Sequence, residues 1–208
     1  MSDMAKIISS GFLVLLVPVL MNVLSGRLSG IFHIQELYIK IFLMLPIAGL
    51  LFRLTLPEEP SLRLKFGWRS AGIFDILAIL VLTLFTLSMG LVLPRRADTG
   101  IPLSLPLIPV LILAVLSALA EELYFRSWLL TKLTDCVPYT AVGFSTAGFA
   151  CMHIWQGWQA VVFAAITGIV YSLYFLNRRC IAALIAAHSL HNVVVVLYSF
   201  GLPTVPLT

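Results

Sequence analysis

The segment SLPLIPVLILAVLSALAEELYFRSWLLT (residues 104–131) is apolar enough to cross a bilayer, yet its second half contains Glu121, Glu122 and Arg126. A membrane helix needs about 20 consecutive, mostly apolar residues, and the rest of the chain has the same character. Of the 208 residues, 61% are hydrophobic and 11% are charged, whereas soluble domains carry about 25% charged residues. The composition excludes a soluble globular protein and predicts an integral membrane protein.

Seven apolar segments predict an all-α, polytopic protein with about seven transmembrane helices around an intramembrane polar cavity. These segments cover residues 7–24, 32–53, 71–93, 104–131, 138–154, 158–176 and 180–200. We interpret the first as an uncleaved helix rather than a signal peptide, because it is long for a signal sequence and no small-residue cleavage pattern ends it.

Basic residues in the short loops predict the orientation, because cytoplasmic loops are enriched in lysine and arginine. One set of alternate loops contains Lys6, Arg53, Arg63, Lys65, Arg69, Lys132, Arg178 and Arg179. The other set contains Arg27, Lys40, Arg95 and Arg96. The N-terminus is therefore expected in the cytoplasm. The same topogenic placement accounts for the net charge of +4 without a nucleic-acid partner.

Glu121, Glu122 and Arg126 are the first candidates for a functional site, because ionisable groups at bilayer depth are costly. Glu122 and Arg126 are spaced i, i+4, so they share one helix face and stabilise each other. Glu121 is rotated away from that face and remains free to act as a general base in a cavity. The plainer interpretation is an ion pair that pins two helices, but it leaves the second glutamate unexplained.

Three further polar residues follow in the next apolar segments. His153 and Glu121 are expected at similar depth, where imidazole and carboxylate can share a water and deprotonate it. His188 and Asn192 are again spaced i, i+4 and can both donate hydrogen bonds to an oxyanion. His191 is rotated off that face and has at most a supporting role. Water activation with oxyanion stabilisation is the chemistry of amide or ester hydrolysis.

Two alternatives use the same residues differently. Glu121, His153 and His188 are a possible zinc set, although the helical HExxH spacing is absent; no other cofactor is expected. Cys136, Cys151 and Cys180 are odd in number and form no CxxC pair, which argues against a disulfide framework. Cys151 lies two residues before His153, so a catalytic thiol is the second alternative.

Three motifs in fixed order resemble the CAAX-protease and bacteriocin-processing (Abi) family of glutamic-type intramembrane endopeptidases. They are EExxxR (Glu121, Glu122, Arg126), FxxxH (Phe149, His153) and HxxxN (His188, Asn192). The resemblance implies that Glu121 and His153 activate the water and that His188 and Asn192 form the oxyanion site. It also implies that Glu122 and Arg126 orient the first glutamate.

The resemblance divides the chain and suggests its partners. Residues 1–100 carry no recognised motif, 101–200 would be the CAAX-protease-like catalytic core, and 201–208 a short tail. The expected substrate is a membrane-associated protein or peptide, cleaved near its C-terminus in a bacterial or archaeal cell membrane. Competing functions are an exosortase-like cysteine transpeptidase, using Cys151 or Cys136 with Arg126 and His153, and a non-enzymatic immunity or transport protein.

Overall fold

The computed structural model of the chain describes residue 24 and residues 36–92, 105–138 and 140–201. Within these ranges the chain is almost entirely helical, as the composition predicted. The α-helices are α1 (Glu36–Thr55), α2 (Pro60–Lys65), α3 (Ile73–Val92), α4 (Leu107–Glu122), α5 (Thr131–Cys136), α6 (Ala141–Cys151), α7 (Trp158–Arg178) and α8 (Ile181–Gly201). A π-helix (Leu123–Leu130) joins α4 to α5, and a short 3₁₀ helix (Ile154–Gln156) precedes α7.

In the described ranges, five helical stretches are long and apolar enough to cross a membrane, which confirms an all-α polytopic membrane protein. They cover Leu37–Thr55, Ile73–Gly90, Leu107–Cys136, Trp158–Arg178 and Ile181–Phe200. Most of the helix predicted over 7–24, most of the tail predicted over 201–208 and most of the loop before α4 lie outside the described residues. The predicted spans of the other segments agree with the structure within a few residues, with one exception.

The exception is the segment predicted to span residues 138–154. Its helix α6 covers only Ala141–Cys151, or about 16 Å at 1.5 Å per residue, which is half of the roughly 30 Å hydrocarbon core. The chain then turns through the 3₁₀ helix and Gly157, whose φ of 96° lies in the left-handed region that favours glycine. His153 is therefore placed on a turn beyond α6 and not within a transmembrane helix.

Helices α4 and α8 run antiparallel and form the centre of the bundle. Asn192 contacts the carbonyl oxygen of Ala114 at 3.1 Å, while four residues earlier His188 contacts Glu122. Advancing along α8 therefore means moving back along α4. This register brings the polar residues of two distant sequence segments to one level.

Helix α6 packs closely against the π-helix and α7 because its packing residues are small. The Ser145 hydroxyl donates to the carbonyl of Phe125 at 2.8 Å. A Cβ atom at Gly148 would lie 3.2 Å from the Phe125 ring, and one at Gly168 would lie 3.1 Å from Thr146. These close approaches carry Phe149, and His153 beyond it, toward the centre of the bundle.

The polar connection between α1 and α3 folds back over one end of the bundle. Gly67, with a φ of 88°, accepts a hydrogen bond from the Ile181 amide at 2.8 Å. The Ser127 hydroxyl donates to the carbonyl of Phe66 at 2.6 Å. A Cβ atom at Gly67 would collide with the ring of Phe175, so only glycine fits. The connection is thus fastened to the π-helix and to the start of α8.

This end of the molecule, which we call the basic end, contains Lys65, Arg69, Arg178 and Arg179, four of the cations assigned above to the cytoplasmic loops. Lys65 pairs with Asp135 at 2.8 Å, and Arg179 donates to the carbonyl of Lys65 at 3.0 Å. Arg69 and Arg178 both contact Asp75. The shared location agrees with the loop assignment; the side of the membrane that it faces remains a prediction.

Asp75, which the sequence did not single out, organises this end. Its carboxylate is fully buried and accepts hydrogen bonds from Arg69 at 2.7 Å and from the Tyr174 hydroxyl at 2.7 Å. It also accepts from the Gly72 amide at 2.8 Å, as a third-position acid caps the first turn of a helix. Asp75 therefore ties the start of α3 to α7.

Candidate active site

Glu122 and Arg126 form the ion pair expected from their i, i+4 spacing. Arg126 Nη1 lies 3.2 Å from Glu122 Oε1, with side-chain exposures of 1% and 0%. The pair straddles the junction between α4 and the π-helix. A π-helix is rare, and short π segments within α-helices frequently occur at functional sites.

His188 contacts both glutamates, which the sequence did not predict. Its Nδ1 lies 2.8 Å from Glu122 Oε1, and its Nε2 lies 3.9 Å from Glu121 Oε2. Glu122 Oε1 is therefore shared by Arg126 and His188. A sequence separation of 66 hides the contact between Glu122 and His188, because only the antiparallel register of α4 and α8 reveals it.

Glu121 is the more accessible of the two carboxylates. Its side chain is 18% exposed, whereas that of Glu122 is fully buried. Among the described residues, no hydrogen bond engages Glu121 Oε2. The two adjacent carboxylates therefore differ in exposure, and their different roles stay a prediction.

His153 is half-buried and held by the end of its own helix. Its Nδ1 lies 2.9 Å from the carbonyl oxygen of Phe149. A carbonyl can only accept, so Nδ1 carries the proton and Nε2 presents its lone pair. That tautomer suits a base. In the described part of the chain the structure records no hydrogen bond between His153 and Glu121, so their expected sharing of a water stays a prediction.

Asn192 lies one helical turn beyond His188 on α8, and His191 lies three residues beyond it. Asn192 uses one amide proton for the carbonyl of Ala114, which leaves its second proton for another acceptor. His191 is 6% exposed and stacks on the ring of Phe163 at 5.5 Å. Its ring therefore lies against α7, and its supporting role stays a prediction.

Phe149 connects the two histidines. Its ring centroid lies 4.9 Å from that of His153 and 6.2 Å from that of His188. The guanidinium carbon of Arg126 lies 4.1 Å from the same centroid, within range of a cation–π contact. Phe149 thus contacts His153 on one side and, on the other, His188 and Arg126, the two residues that hold Glu122.

The zinc and cysteine alternatives can be compared with the positions of their residues. Cys136 and Cys151 are exposed and Cys180 is buried, and none of them takes part in the contacts around Glu122. In the described ranges, no three acidic, histidine or cysteine side chains are arranged to hold a metal ion. The proposed zinc set of Glu121, His153 and His188 thus has no support from the side-chain geometry.

Residues 103–194 match the sequence model of the family described as Type II CAAX prenyl endopeptidase Rce1-like. Comparisons with curated proteins and with solved structures found no match. The matched range includes all three motifs, Ala114 and the π-helix. The family match confirms the resemblance seen in the motifs: residues 103–194 are similar to the CAAX-protease family.

Proposed function

We propose that this protein hydrolyses a peptide bond near the C-terminus of a membrane-associated protein or peptide, with Glu121 and His153 activating the water. The observation that carries the proposal is the cluster around Glu122 Oε1. One buried carboxylate oxygen is held by Arg126 and His188, while Glu121 beside it stays available. A structural ion pair would not need a second carboxylate and an imidazole at the same level.

His188 and Asn192 are proposed to bind the oxyanion. With Nδ1–H donated to Glu122, the imidazole can also donate through Nε2 only as the imidazolium. Two carboxylates, one guanidinium and one imidazolium sum to zero charge, which lowers the cost of burying the cluster. Asn192 would add its free amide proton as a second donor.

The reaction then follows the usual course of amide hydrolysis. Glu121, assisted by His153 Nε2, takes a proton from water as its oxygen attacks the scissile carbonyl carbon. The carbonyl oxygen becomes an oxyanion held by His188 and Asn192. The proton passes to the leaving nitrogen as the C–N bond breaks, giving a carboxylic acid and an amine, which become carboxylate and ammonium when the acid proton moves to the amine.

The chemical class of the substrate is also a proposal. The family description refers to prenylated proteins, so a peptide with a farnesylated cysteine near its C-terminus is the first probe. A second probe, with a transmembrane anchor and no prenyl group, covers surface proteins with C-terminal sorting tails.

Purified protein in liposomes should cleave at least one of the two probes. Cleavage in H₂¹⁸O should place one ¹⁸O atom in the new carboxylate, as read by mass spectrometry, because the nucleophile is water. Glu121→Gln should lower the rate by about 10²–10⁴-fold, the usual contribution of a general base. The matched control is Glu58→Gln, in the exposed part of the α1–α3 connection.

A product without ¹⁸O that is joined to an added amine would indicate transpeptidation and overturn the proposal. Loss of cleavage in EDTA that zinc restores would replace the water-activation scheme by the zinc alternative.

A further inference from the structure

Tyr171 of α7 lies outside the three motifs but directly against the cluster around Glu122. It is 3% exposed. The centroid of its ring lies 6.2 Å from that of His188, with the ring planes at 81°. The guanidinium carbon of Arg126 lies 5.6 Å from the same ring centroid.

Phe149 of α6 makes the corresponding contacts. Its ring meets His188 at 6.2 Å and 79°, and the Arg126 guanidinium at 4.1 Å. Two aromatic rings from two different helices thus contact the same cation and the same imidazole. We call Phe149 and Tyr171 together the aromatic clamp.

Arg126 needs such support because its polar contacts are few. Among the described residues only its Nη1 has an acidic partner, Glu122 at 3.2 Å, and the buried Nε and Nη2 have no hydrogen-bond partner. A buried guanidinium without full hydrogen bonding is costly. The faces of aromatic rings attract a cation, more strongly where water is excluded.

We propose that Tyr171, through the ring contacts of the aromatic clamp, is a positioning residue for the catalytic cluster. Its ring packs against the guanidinium of Arg126, which fixes Glu122. It also packs against the imidazole of His188, which Glu122 orients. This role rests on the proposed function, because it is defined by the cleavage reaction. The ring of Tyr171, and not its hydroxyl, is responsible for this positioning, since the ring makes both contacts.

The kinetic test compares Tyr171→Phe, Tyr171→Leu and the matched control Tyr174→Leu in the liposome assay. Tyr174 lies one turn along the same helix and donates to Asp75, away from the cluster. Tyr171→Phe should keep kcat within about twofold of the wild type. Tyr171→Leu should lower kcat about tenfold or more, equivalent to one 1.4 kcal/mol step in the barrier, with KM within about twofold. Tyr174→Leu should lower the melting temperature but leave kcat of the folded protein unchanged.

Three results would overturn the role of the ring. They are an unchanged kcat in Tyr171→Leu, an equal loss in Tyr171→Phe, and an equal loss in Tyr174→Leu. The first would make Tyr171 a packing residue. The second would assign the effect to the hydroxyl, and the third to the stability of α7.

A spectroscopic readout separates failure of this inference from failure of the proposed function. In ¹⁵N-histidine-labelled protein, the Nδ1–H signal of His188, assigned with His188→Gln, reports its hydrogen bond to Glu122. The signal should persist in Tyr171→Phe and Tyr174→Leu and shift or broaden in Tyr171→Leu. If the wild type cleaves neither probe, the proposed function fails, and this signal still decides whether Tyr171 positions His188. A signal unmoved in Tyr171→Leu would overturn the inference.

Discussion

At the residue scale, the site is organised around one oxygen atom. Glu122 Oε1 accepts from Arg126 at 3.2 Å and from His188 at 2.8 Å. Glu121, one residue earlier, faces His188 Nε2 at 3.9 Å and retains some exposure. Two adjacent carboxylates therefore occupy different surroundings, as is common where one group orients and another reacts.

The first prediction separates the glutamate from the cysteine chemistry. Glu121→Gln keeps the shape of the side chain but cannot accept a proton, so it should lower the cleavage rate by about 10²–10⁴-fold while the protein stays folded. Cys151→Ala should retain most activity, because no thiolate takes part. Both are assayed side by side for cleavage and for thermal unfolding. Cleavage that survives in Glu121→Gln and disappears in Cys151→Ala would transfer the mechanism to the thiol.

The second prediction concerns Arg126. Replacing it by alanine leaves Glu122 as an uncompensated buried charge, which commonly costs about 3–5 kcal/mol. Arg126→Ala should therefore reduce the amount of folded protein and its melting temperature in detergent, as well as its activity. The control is Arg63→Ala, an exposed cation of α2. An Arg126→Ala protein with normal abundance and melting behaviour would contradict this.

At the element scale, the short helix α6 and the π-helix position residues of the candidate site. Because α6 ends at Cys151, His153 reaches the bundle from a turn, and its Nδ1 is fixed by the last turn of the helix. The π-helix follows Glu122 immediately, and all its residues except Trp128 are buried. Neither feature follows from hydropathy, since both segments have the composition of ordinary apolar helices.

The third prediction tests the connection that closes over the basic end. Gly67→Ala places a Cβ atom against Phe175 at a backbone φ of 88°, so it should lower the free energy of unfolding by more than about 1 kcal/mol. Gly49 lies within α1, where an added Cβ atom would meet nothing within 4 Å, and Gly49→Ala should stabilise by up to about 1 kcal/mol. Chemical denaturation of both variants measures the contrast. A Gly67→Ala protein as stable as the wild type would show that the connection does not need its tight fit.

The sequence predicted the elements better than their contacts. Length and hydropathy located the five described spans, and the i, i+4 spacing gave the Glu122–Arg126 pair. The Glu122–His188 contact could not be predicted, because it depends on the register of α4 against α8. Tyr171 and Asp75 were missed for a related reason: a tyrosine in an apolar helix and an aspartate near a helix start have no distinctive local pattern.

At the scale of the whole molecule, two layers of charged groups can be distinguished among the described residues. The basic end collects the cations of the α1–α3 connection, α5 and the turn between α7 and α8. The cluster around Glu122 lies deeper, since His188 follows Ile181 by seven residues, or about 10 Å of helix. Between the two layers the residues Leu123, Phe125 and Leu130 are buried.

The fourth prediction tests the orientation. Cys136 is exposed at the end of α5, beside the basic end, so positive-inside topology places it in the cytoplasm. In a variant with Cys151 and Cys180 replaced by serine, a membrane-impermeant maleimide should label Cys136 only after permeabilisation of the cells. A second variant lacks all three native cysteines and carries Gln156→Cys in the exposed connection before α7. It should be labelled in intact cells. The reverse pattern would place the N-terminus outside.

The charge balance of the cluster around Glu122 determines how a membrane voltage acts on it. In the proposed state the charges of Glu121, Glu122, Arg126 and His188 cancel. A membrane voltage does work of about 2.3 kcal/mol on each unit charge moved through 100 mV, but it does no net work on a neutral group of charges that moves as a unit. The membrane potential therefore exerts no net force on the cluster inside the bilayer. Cleavage in sealed vesicles should proceed at the same rate with or without an imposed potential.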